Sequence, residues 1–88
     1  MIESEVEVKN RAGLHTRPAA SLVKLAAKFK SEIFLIRDGF AINAKSIIGV
    51  MTLAAEQGCV LNLKVEGDDE SVASDELKDY FESGFGEL

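Results

Sequence analysis

Asn10-Arg11-Ala12-Gly13-Leu14-His15-Thr16-Arg17-Pro18-Ala19-Ala20 is where this chain changes from one kind of structure to another. Gly13 and Pro18 punctuate it. Immediately afterwards Ala19, Leu22, Val23, Ala26 and Phe29 recur at helical spacing, which predicts a first helix over residues 16 to 28. His15, the only histidine, therefore stands where a loop becomes a helix. Thr16 is the better N-cap by residue type and would make Pro18 the second helical residue; with His15 as the cap, Pro18 is the third. Either way Pro18 lies in the first turn, where the N–H it lacks would have had no intrahelical partner. The imidazole thus faces unpaired N–H groups and the positive end of a helix dipole. There a neutral ring nitrogen can act as a nucleophile, and a dianionic group that it acquires is favoured. Arg17 adds a planar cationic fork. A histidine beside a helix start more often caps the helix or faces solvent, so spacing alone does not assign it.

Outward from this stretch, Ile2, Val6 and Val8 alternate with Glu3, Glu5, Glu7 and Lys9, predicting a first strand with one apolar and one charged face, its inward row weakened by Ser4. After the helix a second strand runs from about Glu32 to Arg37. Asp38-Gly39 is a two-residue turn that makes a third strand, Phe40 to Asn43, antiparallel to it. Ser46 then caps a short helix bearing Ile47, Ile48, Val50, Met51 and Leu53. Ile47 and Met51 share a face while Ile48 lies about 100° further round, so one sheet cannot cover all three and an exposed apolar patch is expected. Gly58 ends that region. Val60, Leu61, Leu63 and Val65 form the last strand, Gly67-Asp68-Asp69 turns, and Glu70 begins a helix with Ala73, Leu77, Tyr80 and Phe81 on one face and a solvated acidic face. Gly84 and Gly86 predict a fraying end, and Phe85-Gly86-Glu87-Leu88 carries no functional expectation. The order βαββαβα has too few helices to cover both faces of a four-stranded sheet. It predicts an α+β open-faced β-sandwich.

Eighty-eight residues, 47% apolar, make one domain over 1–88. Ten basic against fifteen acidic residues, a net charge of -5, argue against nucleic acid as the main partner. The single cysteine, Cys59, cannot make an internal disulfide; it reads as a packing residue in a reducing cytosol, and no zinc constellation is recognisable. The start of the chain lacks the basic and apolar runs of a signal peptide, and no segment approaches membrane-spanning length. These features predict a cytoplasmic protein without membrane insertion.

Gly13-Leu14-His15-Thr16-Arg17-Pro18-Ala19-Ala20 resembles the active-site signature of HPr, the histidine-containing phosphocarrier of the bacterial sugar phosphotransferase system. Lys45-Ser46-Ile47-Ile48-Gly49-Val50-Met51 is similar to the HPr segment phosphorylated on serine by HPr kinase/phosphorylase. The likeness is strongest over residues 13–20, good over 43–51, and topological in the last third. It implies an antiparallel sheet with three helices on one face. It also implies that His15 carries phosphate through Nδ1, that Arg17 assists, and that Ser46 is a regulatory site. Enzyme I would be the donor and sugar-specific Enzyme IIA domains the acceptors, with no cofactor or metal and a carrier rather than an enzyme. Because partners must approach His15 closely, Thr16, Arg17, Lys24, Lys45, Ile47 and Met51 are expected to form a basic and apolar docking surface on a monomer. No role follows for Arg11.

Two other readings compete. One keeps the fold but acts mainly through phospho-Ser46 without sugar transport. The other is a βαββαβ ligand- or RNA-binding module. RNA recognition on such a sheet wants exposed stacking aromatics, and Phe34 and Phe40 are as readily core residues.

Overall fold

A computed structural model describes residues 1–87; Leu88 lies outside the described residues. The chain runs through β1 (Ile2–Glu7), α1 (Thr16–Ala27), β2 (Glu32–Arg37), β3 (Phe40–Asn43), α2 (Ile47–Thr52), β4 (Val60–Glu66) and α3 (Glu70–Glu82), followed by a short 3₁₀ turn at Gly84–Gly86. The strands form one sheet in the order β1-β4-β2-β3 with every pair antiparallel. This is the expected βαββαβα open-faced sandwich.

Register decides which residues meet. Val6 opposes Leu61, Ser4 and Leu35 flank Leu63, and Ile33 opposes Val65, so these side chains share the inner face. With Ile42 the apolar residues of this row pack against Leu22 and Ala26 of α1, Val50 of α2, and Leu77 and Phe81 of α3, all buried. The alternate residues Glu3, Glu5, Glu7, Asn62 and Glu66 are exposed on the other face, where Phe34 and Ile36 are half-buried. Period-two alternation with one wet face follows from helices that lie on one side only. Ser4 sits in the inner row, as its place in the alternation requires, and its Oγ is buried with no hydrogen-bond partner among the described residues.

The β2–β3 hairpin forms where Asp38-Gly39 predicted it, with φ of 51° and 81°, the pair of left-handed residues a type I′ turn demands. Other joints rest on side chains reaching across the chain. The Arg37 guanidinium donates to the carbonyls of Leu53 (2.7 Å) and Ala54 (3.0 Å), capping the C-terminal end of α2, a helix too short to persist by itself. Lys45 Nζ donates to Phe29 O at 2.7 Å just beyond α1. Asp69 stands at the N-terminus of α3 without capping it. Its carboxylate instead accepts the N–H groups of Lys30 (2.8 Å) and Ser31 (3.0 Å) and the Ser31 hydroxyl. The turn before β2 is thereby tied to the turn after β4.

The expected fraying of the chain end is not what the structure contains. Gly84, Phe85 and Gly86 all have left-handed backbone, with φ of 64°, 57° and 74°, and turn the chain back after α3. Phe85 is buried with its ring centroid 5.3 Å from Tyr80 and 5.0 Å from Phe81. A left-handed non-glycine residue costs about 1–2 kcal/mol, and burying a phenyl ring contributes about 1.5–3 kcal/mol. The aromatic contact is thus enough to hold the reversal. The glycines read as loosening residues provide the turn instead.

Candidate functional site

The loop between β1 and α1 is set by Gly13. Its φ is +75°, and a Cβ there would stand 2.8 Å from the Ala55 carbonyl oxygen and 3.0 Å from Glu56 Cα. Only a glycine lets the backbone lie this close, and the next residue uses the proximity: Leu14 N–H donates to Ala55 O at 2.8 Å. Val8 N–H donates to Cys59 O and Gly58 N–H to Val8 O, at 2.9 and 2.8 Å, so the loop is pinned at both ends to the segment between α2 and β4.

His15 is the N-cap of α1, with extended backbone (φ -83°, ψ -172°), and its carbonyl accepts the first helical bond from Ala19 at 2.9 Å. Residue type favoured Thr16 for this place; the structure puts Thr16 inside the helix and Pro18, buried, at the third position. The His15 side chain makes no capping hydrogen bond. Its Nε2 instead faces the Glu87 carboxylate, 3.1 Å from Oε2 and 3.3 Å from Oε1. A carboxylate can only accept, so Nε2 carries the hydrogen and a neutral ring keeps its lone pair on Nδ1. Nδ1 has no hydrogen-bond partner among the described residues.

Glu87 gathers two further donors. Asn10 Nδ2 lies 2.8 Å from Oε1 and also donates to Gly13 O at 2.8 Å, while Arg17 Nη2 lies 3.2 Å from Oε2. The Asn10 amide beside it, helped by His15 and Arg17 and opposed by desolvation, holds the Glu87 carboxyl below the usual carboxylate range. The Glu87 side chain is only 16% exposed, against 40% for His15 and 79% for Arg17, so the acid lies beneath the two side chains it joins. Arg17 engages it through one nitrogen, leaving most of its donors in solvent.

Thr16 and Lys24 are exposed on α1. Lys45 is half-buried, its ammonium directed at Phe29 O. The apolar patch expected on α2 is present: Val50 alone is buried, while Ile47 and Met51 are each 40% exposed and Ile48 75%. Ser46 is the N-cap of α2, as read from the sequence, and its Oγ accepts from Gly49 N–H at 3.1 Å. Cys59 is half-buried against the core. Sequence reasoning missed Glu87 and Asn10. A Gly-Phe-Gly run directly after a helix whose last turns carry Tyr80 and Phe81 was the available sign of a packed left-handed end. Asn10, early in the loop, is of a type that bonds backbone two or three residues on.

Residues 2–83 match the family model described as the PTS HPr component phosphorylation site. Phosphocarrier protein HPr of Treponema pallidum is 48% identical over 87 residues, covering 99% of each chain. HPr-like protein Crh of Halalkalibacterium halodurans is 48% identical over 82 residues, covering 93% of this chain and 98% of that one. The crystal structure of HPr-C-His from Thermoanaerobacter tengcongensis superposes with a TM-score of 0.96 at 50% identity, covering 100% of this chain and 99% of that one.

Proposed function

The chain belongs to the HPr family of phosphotransferase-system phosphocarriers, and from that premise we propose that it takes a phosphoryl group from Enzyme I onto Nδ1 of His15 and passes it to Enzyme IIA domains. The observation that carries this reading is the state of the imidazole. Nε2 is held by Glu87, and Nδ1, at the start of α1, has no hydrogen-bond partner among the described residues.

The Nδ1 lone pair forms a bond to phosphorus as the donor's bond to phosphorus breaks and its electron pair leaves with the donor. His15 need lose no proton, because the hydrogen stays on Nε2. Delivery to the acceptor is the reverse. The phosphoryl oxygens accept from N–H groups in the first turn of α1, which have no carbonyl one turn back. Arg17, loosely attached to Glu87 and mostly in solvent, swings its free donors onto the same oxygens. These contacts stabilise the adduct moderately, which suits a group that must leave again. Thr16, Lys24, Lys45 and the α2 residues Ile47 and Met51 then form the surface on which partners dock.

Ser46 is the proposed regulatory site, phosphorylated by HPr kinase/phosphorylase. A phosphate there meets the N–H groups of α2 and adds charge to the rim of the apolar patch. A second reading, action mainly through phospho-Ser46 without sugar transport, draws support from the 48% identity to an HPr-like protein Crh. His15 with its lone pair exposed favours the carrier. Incubation with Enzyme I and phosphoenolpyruvate tests it. The protein should acquire one phosphate that is labile in acid and stable in alkali, and His15→Ala should acquire none. An acid-stable label on the unaltered protein would overturn the assignment.

A further inference from the structure

We infer that Glu87 is a positioning residue for the phosphoryl transfer: it fixes His15 as the Nε2–H tautomer and so reserves Nδ1 as the only nucleophilic nitrogen. The inference rests on the reading of His15 as phosphoryl acceptor and adds to it the group that decides which ring nitrogen reacts.

Three donors converge on this one carboxylate from two places in the chain: Asn10 in the loop, and His15 and Arg17 at the start of α1. Asn10 is 1% exposed and is itself oriented by Gly13 O, so the Oε1 position is set by a buried group rather than by a mobile surface contact. From the other side, Glu87 is delivered by the left-handed turn that Phe85 locks against Tyr80 and Phe81. A carboxylate so placed has no hydrogen to give, so it admits only the tautomer with hydrogen on Nε2. It also blocks Nε2 sterically, since a phosphoryl group there would occupy the place of the Glu87 oxygens 3.1 and 3.3 Å away.

The charge balance points the same way. When Nδ1 gains a phosphoryl group and Nε2 keeps its hydrogen, the ring becomes cationic. Glu87 then faces that positive charge at hydrogen-bond distance. Without it the ring is free to lose the Nε2 hydrogen or to present either nitrogen to a donor.

His15 is the only histidine, so the imidazole ¹⁵N resonances of protein labelled in histidine report this ring alone. The spectra are taken at about pH 8.5, where an ordinary imidazole is neutral, on the unaltered protein, Glu87→Ala and Glu82→Ala. Glu82, an exposed acid paired with Lys9 at 2.9 Å, controls for loss of a negative charge near the chain end. The unaltered protein and Glu82→Ala should show the Nε2–H form alone, and Glu87→Ala a mixture of both tautomers. In a second arm, transfer from Enzyme I to Glu87→Ala should be slower, in proportion to the fraction of Nε2–H form that the spectra show to be lost, because only that fraction presents Nδ1. Identical tautomer populations with and without Glu87, or an unchanged transfer rate, overturn the inference. The spectroscopic arm uses no donor, so a protein that accepts no phosphate refutes the carrier reading while this arm still decides what Glu87 does to the ring.

Discussion

Asp69 and Ser31 are joined twice, by the Ser31 N–H to Oδ1 at 3.0 Å and by the Ser31 hydroxyl to the same oxygen. Gly67 makes this possible, because a Cβ there would stand 2.6 Å from Ser31 Oγ. The Ser31 hydroxyl, with the Lys30 and Ser31 N–H groups, holds the Asp69 carboxyl below its ordinary value. A group whose pKa is lowered in the folded protein stabilises it above the unfolded pKa, near 3.8, and ceases to as pH falls through the folded value. Asp69→Ala should therefore unfold at lower urea than the unaltered protein from neutral pH down to about pH 5. Below about pH 4 the gap between the two should begin to close and go on shrinking as pH falls further. A gap that stays constant to pH 2 would exclude the carboxylate as its source.

Gly13 and Gly39 both have positive φ, +75° and +81°, but a Cβ at Gly39 would meet nothing within 4 Å. Gly39→Ala should cost only the left-handed backbone, about 1 kcal/mol. Gly13→Ala adds the collision with Ala55 and Glu56 and should cost about 2 kcal/mol or more. It should also slow phosphorylation, since Leu14 and His15 follow directly. Denaturant titration and transfer rates check both. Equal losses for the two variants would show that the close approach at Gly13 does not matter.

Arg17→Lys keeps the charge and loses the planar fork, so transfer should slow without stopping. An unaltered rate would show that a point charge is sufficient.

Ser46→Ala removes the acceptor for Gly49 N–H and should cost about 1 kcal/mol. Phosphorylation of Ser46 adds about two negative charges where the helix tolerates them. The modified protein should melt no earlier yet accept phosphate from Enzyme I more slowly. Calorimetry beside a transfer assay checks this; an unaltered rate would remove Ser46 from the docking surface.

Ile48 is 75% exposed on the apolar patch of α2. Ile48→Asp should change stability by no more than about 0.5 kcal/mol and raise the KM for exchange with Enzyme I several-fold. An unaffected KM would place the docking surface elsewhere.

Local rules were enough where the determinant is local. Asp38-Gly39 set the bounds of two strands, and Ser46 marked the first turn of α2. They failed at the His15 cap, where residue type pointed to Thr16. The cap is decided by the loop that Leu14 and Gly13 press against Ala55, a contact that no preference of Thr16 can outweigh. They failed more fully at Glu87. Read alone, two glycines and an acid near the end of a chain describe a loose tail. What makes them part of the site is a pairing with His15 across 72 positions, together with the burial of Phe85, and neither has periodicity or spacing to announce it. Asn10 and its acceptor Gly13 both lie between residues 10 and 20, but its second acceptor, Glu87, is 77 positions away.

The strand order β1-β4-β2-β3 also fixes a schedule. β1 has one neighbour, β4, and the loop after β1 takes its bonds from Ala55 and Cys59. A chain emerging from a ribosome can form α1 and the β2–β3 hairpin early, because their contacts are near in sequence. Its histidine, though made first, stays without a socket until the segment before β4 has been added, and without its carboxylate partner until later still. A nascent fragment stopped at residue 50 would carry the whole signature of the site but neither its socket nor its carboxylate.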